Sequence, residues 1–202
     1  MTLASQSTPP VLAQQPEQRS VPVLATERLV LRAPHDGDVK AIVCLVNDRR
    51  VAENTARIPY PYGADDAERF LAAINRQDGE ATFAIIRGSD LIGICSVEPR
   101  ENSPEIGYWL GALHWGSGYA TEAVGAVIDH AFGALGHDML QAGARVSNAA
   151  SRRVLEKCGF QWTGVGLYRI RAINSSAPLD RFRLDRGLWA SLKAWGWARE
   201  VA

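Results

Sequence analysis

Residues 105 to 122 read EIGYWLGALHWGSGYATE, an apolar strand-like segment that runs through a glycine-bearing loop directly into a helical repeat. That junction constrains the fold more than any other stretch of the chain. The first turn of a helix has backbone N–H groups with no partner inside the helix, and the aligned peptide dipoles place positive charge there. Gly116 and Gly118 allow left-handed backbone, so the chain can turn sharply and bring bare amides against a ligand. A strand feeding such a loop has the form of a phosphate site. The plain alternative is a tight turn before a helix, and the loop by itself leaves both open.

The surrounding periodicities place this junction in an α/β chain. RLVLR (28–32) alternates like a strand and ends at Pro34. Asp36 or Asp38 is placed to cap a helix reaching about Asn47, with Val39, Ile42, Val43 and Val46 on one face. A second helix fits 64–77, with acidic residues in its first turn and Ala67, Phe70, Leu71 and Ile74 periodic. ATFAIIR (81–87) and LIGICSVE (91–98), joined by GSD, form a hairpin, and EIGYWL (105–110) follows as a strand. After the loop, apolar residues from Ala123 to Leu135 recur at helical spacing over about 120–135. MLQAGARV (139–146) reads as a buried strand, and Asn148 opens a helix that stops at Gly159. Strands over about 160–171 and 180–186 and a helix over about 187–198 complete the pattern. Seven strands and five helices in this order imply one α/β domain with a mixed sheet, spanning 23–202. Residues 1–22 are rich in Ser, Gln and Pro and lack the features of a signal peptide, so a disordered tail is expected there.

Composition narrows the function classes. The chain has 202 residues, with 22 Lys+Arg against 22 Asp+Glu. Zero net charge removes the basic footprint of a nucleic-acid binder. No apolar run approaches the ~18–20 residues of a membrane span. Cys44, Cys95 and Cys158 show no C-x-x-C spacing, which suggests neither disulfides nor zinc and suits the cytoplasm. His35, His114, His130 and His137 show no metal-ligand spacing, so no metal is expected.

Two phosphate patterns fail on the loop. A G-x-x-x-x-G-K-[ST] loop requires lysine where Ser117 stands. A dinucleotide loop G-x-G-x-x-G/A finds Gly116 and Gly118 but Thr121 third, and Asp138 precedes its strand where a ribose-binding acid should end it. Trp115-Gly116-Ser117-Gly118-Tyr119-Ala120 instead resembles the acetyl-CoA pyrophosphate loop [QR]-x-x-G-x-[GA] of the GNAT acetyltransferases, except at its first position. One strand later, Asn148-x-x-Ser151 followed by LEKCGF (155–160) resembles that family's N-x-x-[AS]…G-F segment. Together, ERLVLR, EIGYWL, WGSGYATEA and NAASRRVLEKCGF resemble the ribosomal-protein-alanine (RimJ/RimL-type) branch over about residues 25–190.

The resemblance implies a seven-stranded, mostly antiparallel sheet with helices on both faces. It also implies a bulge in strand 105–110 that splays it from parallel strand 139–146. The pantetheine arm of acetyl-CoA would pair with the free edge at Tyr108, Trp109 and Leu110. The backbone of Trp115, Gly116, Ser117, Gly118, Tyr119, Ala120 and Thr121 would receive the pyrophosphate. Asn148 and Ser151 would meet the pantetheine or sulfur end, and Arg152 and Arg153 the 3′-phosphate. Trp115 in place of Gln or Arg leaves every loop amide intact and is expected to be harmless.

Acetyl transfer to an amine requires a neutral amine, a stabilised oxyanion and a departing thiolate. By resemblance Glu105 is the base, a backbone N–H of the splayed strand is the oxyanion donor, and Ser151 assists the thiolate. The family often has Tyr seven residues after the Asn, where this chain has Leu155. The acceptor is implied to be a protein N-terminal α-amine, with amino acids, polyamines and antibiotics as alternatives and a non-catalytic acyl-CoA-binding module as the rival. The resemblance also admits a homodimer. Tyr60, Tyr62, Trp162 and Tyr168 are candidates to line the acceptor pocket; Cys95 and Cys158 read as packing, and Glu122 as a helix-dipole partner. Residues 98–138 hold one basic and six acidic side chains, and residues 139–202 eleven and four, so the segment around Glu105 is expected to attract a cationic amine. The loop 115–120 itself contains no Lys or Arg.

Overall fold

The computed structural model describes residues 21–74 and 81–196. It contains β1 (Leu24–Ala25), β2 (Val30–Arg32), α1 (Val39–Val46), α2 (Arg49–Ala52), α3 (Ala64–Ile74), β3 (Thr82–Arg87), β4 (Asp90–Glu98) and β5 (Glu105–Leu110). There follow α4 (Tyr119–Gly133), β6 (Met139–Arg145), α5 (Ala149–Lys157), β7 (Gln161–Ile170), β8 (Ser175–Asp185) and α6 (Arg186–Ala194). The eight strands form one sheet in the order β1-β2-β3-β4-β5-β6-β8-β7. Every neighbouring pair is antiparallel except β5 with β6.

The eighth strand is β1, whose two residues pair with Leu31 and Val30. It and the four-residue α2 are too short to show a period in the sequence. β8 begins at Ser175 rather than near 180, because Ile170 pairs with Ser175 across a turn whose Asn174 takes a left-handed φ of 49°. Pairing with β7 thus draws the polar NSSAP segment into a strand. The tail expected over 1–22 lies outside the described residues except for its last two positions, as do the ends of the helices expected over 64–77 and 187–198.

Helices cover both faces. β4 is buried at every position from Leu91 to Val97, which explains why that stretch is apolar except at Ser96 instead of alternating. One face packs Phe83, Ile85, Cys95, Val97, Ile106 and Leu110 against the apolar stripe of α4 and Leu155 of α5. The other packs Ala84, Ile94 and Trp109 against Ile42 and Val46 of α1 and Ala67 and Leu71 of α3. Asp38 does not cap α1 with its side chain. It is buried, takes two 2.8 Å bonds from the Arg32 guanidinium, and accepts the His35 N–H at 2.9 Å. The His35 bond closes a capping box on the single 3-10 turn, Asp36–Asp38, that leads into α1, and Arg32 supplies the counter-charge that a buried carboxylate needs.

The bulge expected in strand 105–110 is absent. Its pairing with β4 runs in unbroken register from Glu98↔Glu105 to Gly93↔Leu110. Register shifts lie elsewhere, between β7 and β8 at Trp162/Gly164 and between β3 and β4, where Ile85 faces Gly93 and Ile86 faces Leu91. Gly93 is required there, since a Cβ would stand 2.2 Å from the Trp109 carbonyl oxygen. Gly93→Ala is expected to destabilise the protein by about 1–3 kcal/mol through backbone displacement, measured as a lower urea midpoint with an unchanged slope.

Candidate active site

β5 and β6 share only two pairs, Glu105↔Gln141 and Ile106↔Ala142. The Gln141 amide bonds the Pro104 carbonyl at 2.8 Å, and backbone groups alternate in direction along a strand. The polar groups of residues 106, 108 and 110 therefore face β6. Beyond Ile106 the strands part, and the Tyr108 N–H and C=O and the Leu110 N–H face the gap. The Leu110 carbonyl is taken by the Trp115 indole N–H at 2.9 Å. Parallel strands twisted against each other diverge once their ladder stops, so the gap needs no bulge.

The two faces of the gap carry different chemistry. On the α4–α5 side, Tyr108 Oη lies 2.8 Å from Ser151 Oγ and 3.1 Å from the Ser151 carbonyl oxygen. Asn148 Oδ1 accepts the Ser151 N–H at 3.0 Å and so caps α5, which commits its side-chain oxygen to the helix. Leu155 is fully buried in the core.

Glu105 lies on the opposite, α1–α3 side. Its carboxylate leans over β6, 3.8 Å from where a Gly143 Cβ would stand. Arg100 Nε donates to Glu105 Oε2 at 2.7 Å, and its Nη2 donates to Glu98 Oε2 at 3.1 Å. Glu98 stands directly opposite Glu105 in the ladder, and it also accepts from Ser96 Oγ at 3.1 Å and from Arg57. Two facing carboxylates repel, and two arginines hold them together. The hairpin register was the available signal for Glu98. The partners Arg57 and Arg100 gave none.

The loop turns at Gly116 and Gly118, with φ of 77° and 81°. Tyr119 begins α4, and no side chain caps that helix, so its first amides are open to a ligand. Arg28, at the entry to β2, braces the loop by donating to the Ser117 carbonyl at 3.0 Å and to Glu122 Oε2 at 2.7 Å. Glu122 Oε1 accepts from Thr26 Oγ1 at 2.6 Å and from the Arg28 amide at 2.8 Å, so Glu122 is an anchor of the loop rather than a dipole partner alone. The Arg28 and Arg87 guanidiniums lie 4.9 and 5.2 Å from the ring centroid of buried Tyr119. A loop without Lys or Arg thus acquires cations from distant strands.

The acetyltransferase (GNAT) domain family model matches residues 28–161. The chain belongs to that family. The uncharacterized N-acetyltransferase YoaA of Bacillus subtilis is 33% identical over 159 residues, spanning 71% of this chain and 85% of that protein. Among solved structures, RimL, a ribosomal L7/L12 alpha-N-protein acetyltransferase in complex with coenzyme A, superposes with a TM-score of 0.71 at 18% identity, covering 81% of this chain and 98% of RimL. Spermidine N-acetyltransferase from Vibrio cholerae, with CoA and spermine, gives 0.70 at 22% identity over 82% and 99% of the two chains. GNAT enzymes use acetyl-CoA as co-substrate, and the open α4 amides and the free β5 edge are of the kind that a pyrophosphate and an amide-bearing arm require.

The GNAT fold distributes the remaining candidates differently from expectation. Arg152 pairs with buried Asp180 at 3.1 Å, and Asp180 also accepts from the Trp162 indole at 2.8 Å, so both side chains are engaged on β8. Arg153 is exposed. Tyr62 packs in the core, whereas Tyr60, Trp162 and Tyr168 are exposed. Burial pushes the Cys95 thiol far up and the Cys158 thiol up to about 12, which leaves neither as a nucleophile at neutral pH. Among the described residues, no cluster of His, Cys, Asp and Glu could hold a metal ion, and no helix is long and apolar enough to cross a membrane.

Burial by itself would raise the Glu122 pKa, but the bonds from Thr26 and Arg28 outweigh it and leave the carboxyl below its ordinary value of 4.5. A depressed folded-state pKa stabilises the protein above the unfolded value, and that contribution is lost as pH falls through the folded value. Glu122→Gln is expected to be less stable than the parent at pH 7, by about 1–3 kcal/mol. Urea denaturation should show the difference shrinking as pH is lowered below about 4.5.

Proposed function

We propose that this chain transfers the acetyl group of acetyl-CoA to a primary amine by direct attack in a ternary complex. The observation that carries the proposal is the placement of Glu105 and Ser151 on opposite faces of the parted β5–β6 pair. Acetyl-CoA supplies a thioester. The amides of Trp115 to Thr121 hold its pyrophosphate, and the Tyr108–Leu110 edge holds its arm. Glu105 accepts the amine proton directly or through a water, a β5 amide facing the gap stabilises the oxyanion, and Ser151 donates to the sulfur. Asn148 supports Ser151 through the helix cap.

The acceptor proposed is a protein N-terminal α-amine, as in the RimJ/RimL-type branch. The electrostatics favour this over a polyamine. Glu98 and Glu105 are matched by Arg57 and Arg100, so the acceptor face offers no surplus of negative charge to a polycation. Free thiols and balanced charge support a cytoplasmic enzyme that acts without nucleic acid or membrane, and the family resemblance supports a homodimer. The catalytic domain is assigned to residues 23–202.

Acetyl-CoA supplied with a panel of N-terminal peptides, amino acids, polyamines and aminoglycosides, with CoA release as the readout, tests the activity. Release is expected to be fastest with a peptide. Tight CoA binding without release on any acceptor would favour a binding module instead. Glu105→Gln is expected to lower the rate on the best acceptor by about 10²–10⁴-fold; a full rate would remove Glu105 as the base. Arg28→Met is expected to weaken CoA binding about tenfold by calorimetry, the ~1.4 kcal/mol of a lost charge-assisted brace.

A further inference from the structure

Tyr108 reaches across the parted strands from β5 to the first turn of α5, where its hydroxyl meets that of Ser151. Two hydrogen-bond arrangements fit the separations of 2.8 Å to Ser151 Oγ and 3.1 Å to the Ser151 carbonyl oxygen. In one, Ser151 donates to Tyr108 while Tyr108 donates to the carbonyl. In the other, Tyr108 donates to Ser151 Oγ, which leaves the serine proton free to point elsewhere. Only the second presents a donor to a ligand in the gap, and it also polarises the serine O–H.

Three features make Tyr108 a fixed donor. Its side chain is half-buried, and burial pushes the phenol well above its ordinary pKa despite the opposing pull of Ser151, so it remains protonated at neutral pH. Its strand is paired with β4 over its whole length, Glu105 to Leu110. Its partner is held too, because the Ser151 N–H is donated to Asn148 Oδ1. No other hydroxyl is carried by α5, and Leu155 is apolar and fully buried.

We propose that Tyr108 is a positioning residue for acetyl transfer, fixing Ser151 Oγ with its proton toward the leaving sulfur. The proposal rests on the assignment of Ser151 made above. As the C–S bond breaks, the electron pair stays on sulfur, which departs as thiolate while accepting the Ser151 hydrogen bond. Ser151 keeps its proton, and the proton lost by the amine passes to Glu105 or to water.

Single-turnover rates of Tyr108→Phe, Ser151→Ala and the double variant, at saturating acetyl-CoA with the best acceptor, test this. Tyr108→Phe is expected to slow acetyl transfer about tenfold with CoA affinity unchanged, and the double variant to be no slower than Ser151→Ala. With the selenoester analogue of acetyl-CoA, whose selenolate leaves readily, the Tyr108→Phe deficit should shrink. A full rate in Ser151→Ala overturns the serine assignment and this proposal with it. A slow Ser151→Ala beside a full-rate Tyr108→Phe, or losses that multiply in the double variant, overturns the role of Tyr108 alone. Replacement of Tyr108 by 3-fluorotyrosine keeps the packing and the hydroxyl, so it should retain the rate; a loss equal to that of Tyr108→Phe overturns the proposal.

Discussion

The rest of the site depends on one shortfall in pairing. β5 and β6 are joined at Glu105 and Ile106 and nowhere beyond. Unpaired backbone groups inside a sheet are costly unless water or a ligand takes them, so a strand edge opened in this way must face solvent or hold something. The parting exposes the Tyr108 and Leu110 amides and lets Tyr108 meet α5 across the opening, while side-chain alternation along β5 puts Glu105 on the other face. Full pairing of β5 with β6 would close the gap and take the Tyr108 and Leu110 backbone groups into an ordinary ladder.

Electrostatics is the second organising term, and it acts across long separations in sequence. Five of the six acidic residues between 98 and 138 are matched by a basic partner: Glu98 by Arg57 and Arg100, Glu105 by Arg100, Glu122 by Arg28, Asp129 by Lys193 and Asp138 by Arg186. The stretch that reads as strongly acidic is therefore close to neutral in the fold. The loop that reads as bare of cations is braced by Arg28, with Arg87 against the same tyrosine. Charge counted along the chain and charge gathered in space gave opposite impressions at both places.

Elements with strong local signals were legible in the sequence. The glycine loop, the apolar period of α4 and the Asn148 cap all sit where the pattern put them, because each rests on contacts within a few residues. The bulge expected in β5 was wrong, since it came from the family pattern and not from any residue of the strand. Of the two expected caps, Asp36 and Asp38, Asp38 takes the N-cap position of α1, but its carboxylate serves Arg32 and the His35 N–H instead of the first turn of that helix. β1 and the early start of β8 were missed because they exist only through their partners, and α2, capped by Asp48, because one turn is too short to show a period.

The sequence by itself determined the class of fold and the strand–loop–helix junction, since these follow from local periodicity and glycine conformation, and the family resemblance added Glu105 and Ser151 as candidates. Only the tertiary structure decided which face of the gap each group occupies, that Glu98 and Arg100 share the site with Glu105, and that Tyr108 stands against Ser151. Register and the divergence of two strands set those relations. They are properties of pairing between distant segments, and no single segment encodes them.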